Sequence, residues 1–134
     1  MTMDSMWQLQ KAIYDQLSGD AALGVLVNGI YDYVPEGSQS PYVVIGDMKS
    51  QGWYNLSSAG TEIDVVIETY DRNRGSKNSL EIMSRICTLL HNVALVLTGH
   101  NLVSIRFDSS SVIQEKDGLT YKGVARFKAV TQED

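Results

Sequence analysis

The side chains best suited to chemistry in this chain are two histidines, one cysteine and a set of carboxylates on a strand. His91 and His100 do not sit at the i, i+4 spacing that builds a metal-binding helix face, and neither has a Cys or carboxylate cluster at ligand spacing. His91 reads instead as a helix C-terminal residue, where a positive charge suits the dipole. Glu62 and Asp64 share a strand face, but a general acid–base pair needs a cleft, and alternating carboxylates ordinarily make a solvated face. Cys87 falls among Ile86, Leu89 and Leu90, which predicts a buried, reduced thiol rather than a nucleophile. As the single cysteine it has no partner for an internal disulfide. No G-x-S-x-G, phosphate-cradling or dinucleotide-binding glycine motif occurs. The expectation is therefore no catalytic, cofactor or metal site, and no enzyme.

What remains is chemistry of recognition. A strand beginning at Thr61 places Glu62, Asp64 and Glu68 on the face opposite Ile63, Val65 and Ile67. The last strand places Lys122, Arg126 and Lys128 opposite Tyr121, Gly123, Ala125, Phe127 and Ala129, and Arg106 extends the basic set. Two readings stand side by side: ion pairing across strands of one sheet, or oppositely charged surfaces that join copies head to tail into a ring. Trp53 and Tyr54, in the Gly/Ser-rich stretch QGWYNLSSAG, either cover the core or are displayed as interface anchors. Arg72 and Arg74 precede a helix, against its dipole, as a solvated turn or a partner contact.

The elements that position these residues follow from periodicity. Ser5 and Gln8 have capping-box spacing, and Met6, Leu9, Ile13 and Leu17 recur at helical intervals. Asp20 is placed to cap a short helical turn through Leu26. Ile30 to Val34 is expected as a short strand, Pro35 to Pro41 as a loop, Tyr42 to Ile45 as a strand, and Ser50 to Gly60 as a connection. After the strand from Thr61, a helix from Lys77 to His91 is expected to bury Leu80, Met83, Cys87 and Leu90, flanked by Ile82, Ile86 and Leu89. A short strand at Leu95 to Leu97, a turn at Thr98-Gly99-His100, a strand through Val103, Ile105 and Phe107, a hairpin turn at Lys116-Asp117-Gly118 and a strand from Leu119 to Val130 complete the chain. The expected class is α+β: a mostly antiparallel sheet with two main helices packed on one face. Residues 1–134 are expected to form a single domain, the polar C-terminal residues TQED being frayed.

Composition agrees with a globular domain: 43% of residues are hydrophobic and 20% charged. Sixteen acidic against 11 basic side chains leave a net charge of −5, unsuited to binding nucleic acid over the whole surface. The N-terminus shows no signal-peptide pattern, and the longest apolar run, Val93 to Leu97, is too short to span a bilayer, so synthesis in the cytosol and no membrane contact are expected.

In the order and spacing of its blocks the chain resembles the siphophage tail-completion family, which includes tail terminators, head-to-tail joining proteins and relatives in prophages and gene transfer agents. The likeness rests on IYDYVPEGSQSPYVVIGD, on TEIDVVIETYDRNRGSKNSLEIMSRICTLLH, and on LTGHNLVSIRFDSSSVIQEKDGLTYKGVARFKAVTQ. The resemblance implies an α+β subunit that assembles as a hexameric ring on the head-proximal end of a tail tube. There it would stop polymerisation of the tail tube protein and meet the head–tail connector or stopper, while DNA passes through the lumen without specific binding. It implies residence in the virion tail after assembly in the bacterial cytoplasm. A neck adaptor or stopper, and outside phages a cytosolic α+β dimeric binding module, are the alternatives.

Overall fold

The computed structural model describes residues 4–54, 59–73 and 75–133. Helix α1 (Asp4–Ser18) turns through Gly19 into a short α2 (Ala21–Leu26), capped by Asp20, whose carboxylate accepts the Leu23 N–H at 2.8 Å. Strands β1 (Ile30–Tyr31), β2 (Tyr42–Tyr54) and β3 (Ala59–Asp71) follow, then α3 (Lys77–Leu90), β4 (His100–Gln114) and β5 (Tyr121–Glu133). They form one sheet in the order β1-β2-β3-β5-β4, in which β1 runs parallel to β2 and every other pair is antiparallel.

The expected α+β class with a mostly antiparallel sheet is what forms. Strict alternation makes β3 the central strand: Thr61, Ile63, Val65, Ile67, Thr69 and Asp71 are all buried on the helix side. Opposite them on β5 lie Ala125, Phe127 and Ala129, all at 0% exposure, and Leu9, Ile13 and Leu17 of α1 close the core with α3. Full burial of each large aliphatic side chain contributes about 1.5–3 kcal/mol. Gly123 lets β5 pass close beneath α3, since a Cβ there would meet Thr69 Oγ1 and Met83 Sδ.

Several boundaries differ from expectation. Ser5 lies inside α1, buried, and does not cap it. β1 is only two residues long, and Leu97 makes a single bridge to His100 in place of a strand. The stretch from Ser50 to Gly60 is not a connection, because β2 runs on to Tyr54 and β3 begins at Ala59; glycine and serine hid a long hairpin. In α3 the buried stripe is Ser79, Ile82, Met83, Ile86 and Leu90, so Leu80 sits about 100° off it and is 53% exposed. Cys87 is half-buried, and burial pushes its thiol pKa up, away from the reactive thiolate. Irregularities in register between Leu102 and Ser104 and between Phe107 and Ser109 break the alternation of β4, leaving Val103 exposed. β5 continues to Glu133, past the expected end at Val130, and Thr131 is buried.

Candidate interaction surface

The face of the sheet away from the helices carries Glu62, Asp64, Glu68, Arg106, Lys122, Arg126 and Lys128. The β3–β5 register sets Asp64 beside Lys128, Val66 beside Arg126 and Tyr70 beside Lys122. The acidic and basic sets are therefore neighbours in one sheet, and they pair across it. Lys122 Nζ lies 3.3 Å from Glu68 Oε2, both side chains about three-quarters buried, and Lys128 Nζ lies 3.7 Å from Glu62 Oε1 and 3.8 Å from Asp64 Oδ1. Hydrogen bonding to Glu68 raises the Lys122 pKa. Five of the residues thus make intramolecular ion pairs, as the cross-strand reading has it.

Arg126 and Arg106 differ. Neither has an ion-pair partner among the described residues, and both are exposed. Arg126 lines a shallow cavity of about 280 Å³ with Asp47, Lys49, Asp64, Asp108 and Lys128, beside the register irregularities of β2 and β4. The open face gathers Lys49, Arg106, Lys122, Arg126 and Lys128 beside Glu62, Asp64, Glu68 and the bulge residues Asp47 and Asp108, so the two signs of charge balance across it.

One end of this face holds a feature that sequence reasoning missed. Across β1, β2 and β3, Tyr31 meets Tyr42 edge to face and Tyr42 stacks on Tyr70, with ring centroids 5.9 and 5.3 Å apart, and Lys122 Nζ sits 5.7 Å from the Tyr70 centroid. Burial, with the Glu68 carboxylate behind it, raises the Tyr70 pKa. The only sequence signal was a tyrosine at each of three strand termini, legible once the register is known. Beside the ladder, Arg72, 57% exposed, stands 3.8 Å from Asp117 in the β4–β5 turn. Asp117 is held there by the N–H groups of Leu119 and Thr120 and the Thr120 hydroxyl, which lower its pKa. A cavity of about 410 Å³ lies between Tyr42, Tyr70, Arg72, Thr120 and the Ser38–Ser40 loop.

At the opposite end, Trp53 pairs with Gly60 and Tyr54 with Ala59 along the backbone of the β2–β3 hairpin. Their side chains, and Arg74 altogether, lie outside the described residues. On the helix side, half-exposed Trp7 and Tyr14 flank Lys11 on α1, over a groove shared with Asp32 and Ile45 that sequence reasoning also passed over.

The open face thus offers ion-paired strands, two exposed arginines with no ion-pair partner among the described residues, and an aromatic ladder. In class this is an α+β domain with a two-sided sheet, one side covered by its own helices and the other polar and outward. The chain belongs to the family described as tail completion protein gp17, whose pattern it matches over residues 11–132. It is similar to the tail completion protein gp17 of Bacillus phage SPP1, 28% identical over 120 residues, covering 90% of this chain and 89% of that protein. Its fold is similar to a chain in the virion of the native gene transfer agent particle, with TM-score 0.86 and 27% identity, covering 92% of this chain and 94% of that one. The structure of the bacteriophage SPP1 gp17 protein aligns with TM-score 0.65 at 27% identity, over 90% of this chain and 86% of that one. The chain is thus a tail completion protein with a structural role.

Proposed function

We propose that this single-domain chain forms a hexameric ring on the head-proximal end of a phage or gene-transfer-agent tail tube, ends tube polymerisation there, and joins the tail to the head connector. The observation that carries the reading is the match to the tail completion family over residues 11–132, together with a TM-score of 0.86 to a chain of a gene transfer agent virion. A terminator acts by asymmetry: one surface fits the growing end of the tube, and the opposite surface fits no further tube subunit. A net charge of −5 suits a lumen that lets DNA pass without holding it. Arg72, Arg106 and Arg126, with Trp53, Tyr54 and Arg74, are the proposed contacts to tube, connector or neighbouring copy. The charges of Glu62, Asp64, Glu68, Lys122 and Lys128 serve first to fix the sheet face that presents them. Assembly takes place in the bacterial cytoplasm and the finished protein resides in the virion.

Adding the purified chain to polymerising tube protein tests this. Shorter tubes, with the chain at one end only, are expected. Tubes of unchanged length that nevertheless acquire the chain at an end would move the role to adaptor or stopper.

A further inference from the structure

The sheet has two edges that are only half covered. On β4, the first half of the edge is closed by the chain itself: Asn92 N–H donates to the Ile105 carbonyl at 2.8 Å, and Phe107 N–H donates to His91 Nδ1 at 2.9 Å. Beyond the bulge at Asp108 no described residue pairs with that edge. Glu115 N–H donates inward to Thr120, so by alternation Ser110, Val112 and Gln114 aim their N–H and C=O groups outward. On the other side β1 covers β2 only at Val43 and Val44, and Val43 N–H donates outward to Gly29. Following that alternation through the bulge, Met48, Ser50 and Gly52 aim outward along an edge with no partner strand among the described residues.

The two edges fit each other. β2 and β4 run antiparallel within the sheet, so a rotated neighbour would lay its β2 antiparallel to β4. On both edges the outward-aimed residues are those whose side chains face the helices, so pairing keeps every copy's helices on one side. Had the phases disagreed, a rotational ring of this kind would be impossible.

We propose that Ser110–Gln114 of β4 pairs with Met48–Gly52 of β2 of a second copy of this chain, with Val112 opposite Ser50, making one sheet continuous between subunits. The inference rests on the ring reading above. Val112 shares a row with Thr69, and Ser50 shares one with Ile63, so each copy is displaced by six residues of β3. That is about 20 Å along the strands, against about 19 Å of width from four strands, a tilt of about 45°. Closed barrels have strands tilted at about 35–45°. An edge left open for seven to nine residues otherwise invites aggregation.

The test uses particles from a strain whose only copy of the gene carries Ser111→Cys, Gln51→Cys and Cys87→Ala. In the proposed register residues 111 and 51 of adjacent copies form a close antiparallel pair with Cα atoms about 4.5 Å apart, within disulfide reach. In one chain they lie about 25 Å apart, three strands and six rows away. On oxidation the double variant should run as a ladder ending at a closed oligomer, while each single-cysteine variant stays a monomer. Ser110→Pro, which removes only an outward donor at an exposed edge position, should leave the purified chain's melting temperature unchanged and abolish tailed particles. Tailed particles whose double variant stays monomeric, or in which Ser110→Pro assembles normally, overturn the edge pairing and leave the ring standing. Particles with one copy per tail overturn both.

Discussion

Lys122→Ala and Arg126→Ala separate the charges that hold the fold from those free for a partner. Both residues stand on the open face of β5, four positions apart, yet only Lys122 has a carboxylate within 3.3 Å and an aromatic ring beneath it. A hydrogen bond to a charged group contributes about 1.5–3 kcal/mol and an exposed cation–π contact about 0.5–1 kcal/mol. Allowing for screening of side chains still about a quarter exposed, the net loss in Lys122→Ala is about 1–2 kcal/mol. For 134 residues the unfolding entropy is about 0.28 kcal/mol/K, so Tm should fall by about 4–7 °C. Arg126→Ala, with no ion-pair partner among the described residues, should stay within about 0.5 kcal/mol, or 2 °C, and should instead weaken assembly. The Lys122 pKa is raised above 10.5 in the folded state, so its contribution is complete below 10.5 and is lost as pH rises through the higher folded value. The gap between wild type and Lys122→Ala should therefore hold through neutral pH and close only in strong alkali. Thermal melts of both variants at pH 7 and pH 11 read all of this. Equal destabilisation by the two substitutions would refute the division.

Two further outcomes follow from the packing. Gly123→Val should cost about 1–3 kcal/mol by overpacking, because its side chain would enter the space of Thr69 Oγ1 and Met83 Sδ; a denaturant melt shifted to a lower midpoint checks it. Asp20 caps α2 and grips Arg85 of α3 through contacts of 2.8 and 2.7 Å, which lower its pKa to about 2. Its contribution is present above the ordinary 3.8 and is lost as pH falls from there through about 2, so Asp20→Asn should melt lower at pH 6 and converge with wild type near pH 2.

What could be read from sequence was what a short period dictates. The alternation of Glu62 to Glu68 fixed the faces of β3, and Asp20 and Asp117 announced their cap and turn. The pairing of β3 with β5 was not so readable, since register depends on partners far along the chain, and that register decides whether opposite charges are neighbours or separate surfaces. The Tyr31–Tyr42–Tyr70 ladder stayed hidden for the same reason. Gly and Ser in QGWYNLSSAG suggested a loop where cross-strand pairing imposes a hairpin, a case of tertiary context overriding local preference. In α3 a broad apolar stripe left the buried centre ambiguous by one residue, and packing against β3 and β5 chose Ile82 and Ile86 over Leu80.

The central claim, that this tail completion protein ends the tube and joins it to the head, is tested most directly by electron microscopy of particles from a strain lacking the gene. Overlong tail tubes without heads, beside filled heads without tails, are the predicted result. Intact tailed particles in normal numbers would contradict it.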